Sequence, residues 1–590
     1  MVDLSAPPFN LSPEDIDWVR KTIAAMSEEE KIGQLFVNMG ASRTEEYLTG
    51  VLDNYHIGAV RYNPATAAEV WEQNYILQTK SKIPLLIAAN TEAGGNGACT
   101  DGTYVGYEVK IGATKDPKWA YEMGRISGIE ASAIGCNWSF APIVDIMRNW
   151  RNPIISNRTF GDDPEMVLEM AKAYMRGIME SGILPAAKHF PGDGIDERDQ
   201  HLSASVNSYS CEEWDATFGK VYRGLIEAGL PSIMAGHIMQ PAYQKHFDPT
   251  LSEDGLLPAT LSKELITDLL RGKLGFNGVV VTDASHMVGM TAAMARREIL
   301  PAAIAAGCDL FLFFNDPDED FQWMLDGYRD GRISEERLQE ALERILGLKA
   351  RLGLHRTARE EILPPKEEAL ARIGTEESKS IANELAHQAI TLVKQKQPEC
   401  LPLSTSKYPR ILVVPVSGPK NPISIAFTGG AGVKHPAQAV AELLKERGYQ
   451  VSMHESLLDK LLRLSQEEQA KAVRDVYAGK APISDLTDNY DLVLLVAKIE
   501  GLMQPTERVM WPATKGTVNI PWYVHEIPTI YVSTASPYDL VDVPQVKTYI
   551  NTYDDKPFTL TALLDKLEGK SDFCGTSPVD AYCGKEDAYL

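Results

Sequence analysis

The segment KHFPGDGIDERDQHLS, residues 188–203, concentrates acidic, basic and imidazole side chains in a short stretch. Its glycines and proline disfavour a helix and favour a loop. Asp199 and His201 stand two residues apart, so their side chains point to the same side of an extended chain. A carboxylate beside an imidazole favours the protonated ring, which makes a general acid that can later act as a base. The segment predicts acid–base catalysis, with a solvated surface loop as the alternative.

Asp283 closes the apolar run GVVVTDAS, residues 278–285. A carboxylate at the rim of a sheet, in a partly dry cleft, can act as a nucleophile or stabilise a developing charge. Aspartate also begins helices well, so a helix N-cap is the alternative.

A metal site is a rival interpretation of the same region. Its candidate ligands are His189, Asp193, Asp199, His201 and His237. The sequence contains no H-x-x-x-H pair, and its seven cysteines form no CxxC pair. We therefore expect neither a metal nor another cofactor.

The elements that must position these residues alternate between buried strands and amphipathic helices. The apolar runs at 82–90, 136–146, 184–190, 231–238, 278–285 and 308–314 predict strands. Continuous apolar strands separated by helices indicate a parallel sheet covered on both faces. At least six such units favour a (β/α)₈ barrel, with a doubly wound open sheet as the alternative.

Polar residues follow these predicted strands at one end. Six of them stand at or just after a C-terminal strand end: Asn90, Asp145, Lys188, His189, His237 and Asp283. Because that face carries the active site in barrels, we expect these side chains to meet there.

A change of composition divides the chain. We predict a catalytic barrel over residues 1–355, a polar linker over 356–380 and a second α/β domain over 381–590. The second domain shows the strand-like runs 410–416, 491–499 and 528–534. The glycine-rich stretch 427–435 lacks the GK[ST] of a phosphate-binding loop and is expected to be a turn.

Composition limits the partners. With 81 acidic and 58 basic side chains the net charge is -23, which disfavours nucleic acid and anionic membrane surfaces. The N-terminal residues lack the pattern of a signal peptide, so we expect a cytoplasmic protein. The oligomeric state is left open.

The chain resembles glycoside hydrolase family 3, in its β-N-acetylglucosaminidase branch. Eight stretches carry the resemblance in the family's order: NPIISNRTFGDDP (152–164), AAKHFPGDG (186–194), SIMAGHIMQPAY (232–243), PATLSKELITDLLRGKLGFNGVVVTDA (258–284), AAGCDLFLFF (305–314), GRISEERL (331–338), HQAITLVKQK (387–396) and SPYDL (536–540). The resemblance implies a TIM barrel followed by an α/β sandwich domain, and a retaining mechanism.

The resemblance also implies roles for individual residues. Asp283 matches the nucleophile, and Asp199 and His201 match an Asp-x-His dyad in which the histidine is the acid/base. Lys188 and His189 match residues that hold hydroxyls of the transferred sugar, and Arg158 matches an arginine that contacts this sugar or its amide group.

The sequence departs from the branch at the far end of the sugar. The branch carries Asp-x-Glu-Gly-Gly-Arg where this chain reads NTEAGGNG, residues 90–97. The usual aspartate is replaced by Asn90 or Thr91, depending on the alignment, and the arginines are missing. A second histidine of the branch is replaced by Asp193. We expect Glu92 or Asp193 to compensate.

Three functions follow from this pattern. The first is hydrolysis of a β-linked N-acetylglucosaminide or a related small glycoside. The second is phosphorolysis by the same site, because a histidine that has given up its proton does not repel an incoming phosphate as a carboxylate would. The third is a sugar-binding pseudoenzyme, which retention of Asp283 and of the Asp199–His201 pair disfavours.

Overall fold

The structure is a computed structural model. It describes residues 2–418, 434–455, 460–478, 482–501, 506–511 and 517–590. The glycine-rich stretch expected to form a turn lies largely outside these residues. Among the described residues, no helix is long and apolar enough to cross a membrane.

The first sheet is a closed eight-stranded parallel barrel. Going round it, the strand order is β1-β10-β9-β7-β5-β4-β3-β2. The strands of this region are β1 Phe36–Gly40, β2 Ala59–Tyr62, β3 Leu86–Ala89, β4 Trp138–Ser139, β5 Leu184–Phe190, β7 Ser232–Ala235, β9 Val279–Ala284 and β10 Leu310–Leu312, with the short pair β6 Ser205–Val206 and β8 Ile238–Met239 outside the barrel. The predicted barrel is confirmed, and the open-sheet alternative is wrong.

Helices alternate with these strands. The α-helices are Pro13–Ala25, Glu28–Gly33, Glu45–Tyr55, Ala67–Lys80, Glu108–Gly112, Pro117–Ala133, Pro164–Met179, Cys211–Ala216, Phe218–Glu227, Pro241–Phe247, Val288–Thr291, Arg296–Ala306, Pro317–Arg329, Glu335–Arg351, Lys366–Leu370 and Glu376–Ala389. Glu264–Lys273 is wound as a π-helix, and single 3₁₀ turns lie at Gly95–Gly97, Glu253–Gly255, Ala259–Leu261 and Arg359–Glu361. Local sequence sets these boundaries: Ser334, for example, accepts a hydrogen bond from Arg337 N and caps the helix that follows.

One predicted strand differs from the structure. The apolar run 136–146 forms only the two-residue strand β4, followed by an isolated bridge between Ile143 and Lys188. Pro142 has no N–H to donate to a ladder, so regular pairing cannot continue through it. By contrast, β5 covers the predicted run 184–190 over its whole length.

The second sheet has six strands in the order β11-β16-β15-β14-β12-β13. They are β11 Thr391–Gln395, β12 Arg410–Ser417, β13 Gln450–Met453, β14 Leu492–Lys498, β15 Thr529–Ser533 and β16 Thr548–Asn551, and β11 alone among them is antiparallel to its neighbour. Helical segments of this region are Pro398–Cys400, Pro436–Glu446, Gln466–Ala478, Ser484–Thr487, Asp539–Val541, Pro557–Leu567 and Glu586–Tyr589. Alternate residues of β12 and β14 enter two separate apolar cores, one on each face, as expected for a covered α/β sheet.

The chain divides into two compact units. The first comprises residues 1–108, 116–149 and 158–382, and the second comprises 109–115, 150–157 and 383–590. Residues 356–380, predicted as a linker, contain the helix Lys366–Leu370. The division into a catalytic barrel (1–355), a linker (356–380) and a second α/β domain (381–590) stays a prediction.

Candidate active site

The predicted site residues gather at the C-terminal ends of the barrel strands. Lys188 and His189 lie near the end of β5 and Asp283 near the end of β9, while Asn90 directly follows β3 and His237 follows β7. All of these residues belong to the first compact unit. Because the strands are parallel, their ends share one face of the barrel, where the active sites of such barrels lie.

Asp283 is a mostly buried carboxylate among basic side chains. Its side chain is 14% exposed, and its Oδ2 lies 3.8 Å from His189 Nε2. Burial alone would raise the pKa of Asp283, but the neighbouring imidazoles, His189 foremost, and the Lys188 ammonium outweigh burial and lower that pKa below its ordinary value. Asp283 is therefore ionised at neutral pH, as a nucleophile must be.

His201 and Asp199 form the predicted pair. His201 Nδ1 lies 2.7 Å from Asp199 Oδ1, and the same oxygen accepts a hydrogen bond from His201 N at 2.8 Å. The Asp199 side chain is 1% exposed and that of His201 is 24% exposed. With its Nδ1 turned to the carboxylate, His201 keeps Nε2 available for proton transfer.

The loop that carries this pair is tied to the loop after β9. Val288 N donates to His201 O at 3.2 Å, and Gly289 N donates to Gln200 O at 3.0 Å. The Gln200 side chain in turn accepts from His237 N at 2.8 Å. These bonds fix the acid/base loop beside the strand that ends in Asp283.

Asp145 organises the residues around His189. Its carboxylate accepts from His189 N at 3.1 Å and from Asp193 N at 2.7 Å, and its Oδ2 lies 2.7 Å from His189 Nδ1. His189 is thereby held with Nε2 towards Asp283. The sequence indicated Asp145 only by its place after an apolar run, and the contacts add its role in positioning His189.

Glu92 holds the two basic residues that were matched to sugar binding. Its Oε1 accepts from Lys188 Nζ at 2.5 Å, and its two oxygens accept from Arg158 Nη2 and Nε at 3.1 and 3.0 Å. Burial would raise the pKa of Glu92, but the charges of Arg158 and Lys188 lower it well below its usual range. Glu92 is therefore an ionised anchor for Lys188 and Arg158, with both oxygens engaged.

The side chains of Asp193 and His237 hydrogen-bond to other residues of the protein. Asp193 is buried, and its carboxylate accepts from Gly194 N at 2.7 Å and from Gln200 Nε2 at 3.3 Å. His237 Nε2 donates to Ala284 O at 3.0 Å, and its Nδ1 lies 3.0 Å from Thr260 Oγ1. Burial lowers the pKa of His237, so a neutral ring with Nδ1 accepting from the hydroxyl fits these contacts. The contacts give both residues a supporting role beside their predicted role in binding substrate.

Asn90 leaves a polar atom unsatisfied. Among the described residues its Oδ1 is buried without a hydrogen-bond partner. The backbone is close-packed here, since a Cβ added to Gly97 would lie 1.7 Å from Asn90 O. The unsatisfied oxygen makes Asn90 a candidate to accept a hydrogen bond from a ligand.

Arg61 is a residue of this face that the sequence analysis did not single out. It lies near the end of β2 and pairs with Ala88 of β3, two residues before Asn90. Its neighbour Tyr62 hydrogen-bonds Asn74 of the surrounding helix Ala67–Lys80, so alternation turns Arg61 towards the inside of the barrel. Its hydrogen-bond partner within the described residues is Asn63, at 2.9 Å. The sequence feature that could have identified Arg61 is a single arginine in the short apolar run 57–62.

Burial lowers the pKa of Arg61, and the opposing charge of Glu92 acts on the same guanidinium. Its charge also reaches His286, which follows Asp283 on the adjoining loop. Arg61 therefore adds positive charge to the same mouth. No group of three or more His, Cys, Asp or Glu side chains in the described part of the chain is arranged to hold a metal ion.

Comparison with known families agrees with the fold. The chain belongs to glycosyl hydrolase family 3, whose N-terminal domain matches residues 27–348. It is 42% identical over 592 residues to a β-N-acetylglucosaminidase/β-glucosidase of Cellulomonas fimi, covering 100% of both chains.

Solved structures of similar sequence share the fold of this chain. A β-glucoside phosphorylase, BglX, bound to 2FGlc is 40% identical, with a TM-score of 0.89 and 99% of both chains covered. A family 3 β-N-acetylglucosaminidase from Paenibacillus sp. str. FPU-7 is 26% identical, with a TM-score of 0.76, and the match covers 95% of this chain and 100% of that one.

Proposed function

We propose that this chain cleaves a β-linked N-acetylglucosaminide, or a closely related small β-glycoside, by double displacement with retention of configuration. The observation that supports this most is the meeting of an ionised Asp283 with the Asp199–His201 pair in one barrel mouth. The name of the Cellulomonas fimi relative adds support for both N-acetylglucosaminides and glucosides as substrates.

In the first step Asp283 attacks the anomeric carbon while His201 gives its proton to the departing oxygen. Asp199 stabilises the charged imidazole before this transfer and orients its ring. A covalent glycosyl-enzyme results, and the aglycone leaves as an alcohol. In the second step an acceptor displaces Asp283 from the opposite face of the sugar, so the product keeps the configuration of the substrate.

The sugar is held by side chains around this pair. Lys188 has three N–H donors and gives one to Glu92, so two others are available to hydroxyls. Glu92 fixes the Arg158 guanidinium through two bonds, and we propose that this guanidinium contacts the sugar or its amide group. His189 presents Nε2 beside the nucleophile.

The second candidate is phosphorolysis, with inorganic phosphate as the acceptor. It is favoured by the likeness to a β-glucoside phosphorylase over 99% of both chains. Arg61 and His286 add basic groups to the mouth, and His201 is neutral once it has given up its proton. Such a site admits a phosphate dianion without the repulsion that a carboxylate base would exert.

One reaction tests both candidates. A β-glycoside is turned over with and without phosphate, and the first-formed product is followed by proton NMR. In water alone we expect the β-configured free sugar, which then mutarotates. Added phosphate should divert the product to a glycosyl 1-phosphate if phosphorolysis operates. An α-configured first product would contradict the double displacement, and no turnover of any glycoside would support the pseudoenzyme.

A further inference from the structure

Two exposed apolar side chains stand beside the acid/base histidine. Leu202 is 47% exposed and Val288 is 41% exposed. Among the described residues of the first compact unit, they are the only large hydrophobic side chains with this degree of exposure. Single exposed apolar residues are common on protein surfaces, but here both of the unit's examples occur at one place.

The backbone brings these two residues together. Leu202 follows His201 directly, and Leu202 N donates to Asp199 O at 2.9 Å, which closes the turn that carries the pair. Val288 N donates to His201 O at 3.2 Å. The two apolar side chains thus come from neighbouring turns joined through the carbonyl of the acid/base residue itself.

Their position fixes what they can contact. Under the proposed function, on which this inference rests, His201 gives its proton to the glycosidic oxygen. The first atoms of the aglycone are attached to that oxygen, so the aglycone must leave past the surface around His201. His286, also exposed, lies on the same loop as Val288.

We propose that Leu202 and Val288 form the binding surface for the aglycone, and that the enzyme favours β-glycosides whose aglycone is apolar, an alkyl or aryl group, over those with a sugar or methyl aglycone. An apolar group laid on these side chains removes them from water. The gain is up to about fourfold in rate for each methylene that becomes fully buried.

The test uses a series of n-alkyl β-glycosides from methyl to octyl, of whichever sugar the enzyme accepts. Beyond ethyl their leaving alcohols differ little in acidity, so a rise of kcat/KM with chain length measures contact with the aglycone. We expect the octyl-to-methyl ratio to be large in the natural chain and to fall about tenfold or more in the double variant Leu202→Ser, Val288→Thr. The matched variants Leu202→Met and Val288→Ile stay apolar and should keep the ratio.

A second measurement needs no variant. Butanol and methanol compete to intercept the glycosyl-enzyme, and butanol should give the larger share of alkyl glycoside at equal concentration. A flat series in the natural chain, or a folded double variant that keeps the full ratio, would overturn the inference while leaving the proposed function intact. A double variant that changes only the association state would show a protein interface instead. Lack of turnover across the whole series would overturn the proposed function and this inference with it.

Discussion

At the scale of single residues, Asp199 Oδ1 holds His201 Nδ1 at 2.7 Å and orients its ring. His201→Ala should slow alkyl glycosides by about 10²-fold or more, because their leaving groups need a proton, and should affect dinitrophenyl glycosides far less. Asp199→Asn keeps the size of the side chain but loses its charge, so the same selective effect should appear in milder form. The measurement is kcat/KM across leaving groups of graded acidity. Equal losses on both kinds of substrate would indicate a structural role for the pair.

We expect Asn90, and Arg61 on the neighbouring strand, to contact hydroxyls at the far end of the sugar. Asn90 can both donate and accept, so it should tolerate an epimer that an aspartate would reject. We expect kcat/KM for aryl N-acetylglucosaminide to exceed that for its 4-epimer by less than about a hundredfold. Asn90→Asp should sharpen this discrimination. A preference of about a thousandfold or more in the natural chain would show that other residues, Arg61 first, rebuild the grip on these hydroxyls.

The same region shows what residue types alone could predict. Asp283, His201 and Asp199 could be singled out as candidates because the proposed chemistry depends on residue type and local spacing. Glu92 or Asp193 was expected to compensate for the lost sugar contact, and this stays a prediction. What the sequence did not indicate is that the oxygens of Glu92 bind Lys188 and Arg158, which are 96 and 66 residues away. Such a partnership depends on which strands become neighbours, and sequence spacing does not report it.

At the scale of elements, the buried strands were predictable because each is a short apolar run between helical patterns. The order of these strands around the sheet followed from the predicted barrel. The exceptions were β1 and β2, which none of the predicted runs covered, and β4, where Pro142 ends the ladder early within a mostly apolar run. The contacts of His237 were not predictable either, since Thr260 and Ala284 reach it from other loops.

The short helix Glu108–Gly112 places an acid where water cannot reach it. Glu108 Oε1 accepts from Ile143 N at 3.4 Å, and its other oxygen is buried without a hydrogen-bond partner among the described residues. Burial, reinforced by the charge of Glu92, raises the pKa of Glu108 to about 8. The folded state therefore binds a proton that the unfolded chain releases near pH 4.5.

The higher pKa of Glu108 in the folded state stabilises the fold at low pH. This stabilisation is complete below about pH 4.5 and is lost as the pH rises towards 8. Glu108→Gln keeps the acceptor and does not titrate, so the variant should not lose this stabilisation as the pH rises. The difference in free energy of unfolding, variant minus natural chain, should therefore rise by a few kcal/mol between pH 5 and pH 8. Denaturant unfolding at both pH values measures this, with Glu336→Gln, an exposed first-turn change, as the control. A difference in free energy of unfolding between the variant and the natural chain that is the same at pH 5 and pH 8 would contradict the raised pKa of Glu108.

At the scale of the whole molecule, the chain is strongly acidic, with a net charge of -23. In the active-site mouth of the first unit, however, acidic and basic side chains are paired. Glu92 binds Lys188 and Arg158, while Asp145 and Asp199 bind His189 and His201. The net acidity was evident from composition, but this local pairing required the fold.

The covalent intermediate on Asp283 is the central claim, and one measurement tests it most directly. A 2-deoxy-2-fluoro β-glycoside with an activated leaving group slows both steps, because fluorine destabilises the charge that develops at the anomeric carbon, and the intermediate then accumulates. The labelled protein is digested and analysed by tandem mass spectrometry, with Asp283→Ala as the control. The expected result is one fluorosugar on the peptide containing Asp283 and none on the variant. A label on another carboxylate, or an Asp283→Ala variant that is labelled and turns over normally, would contradict the assignment.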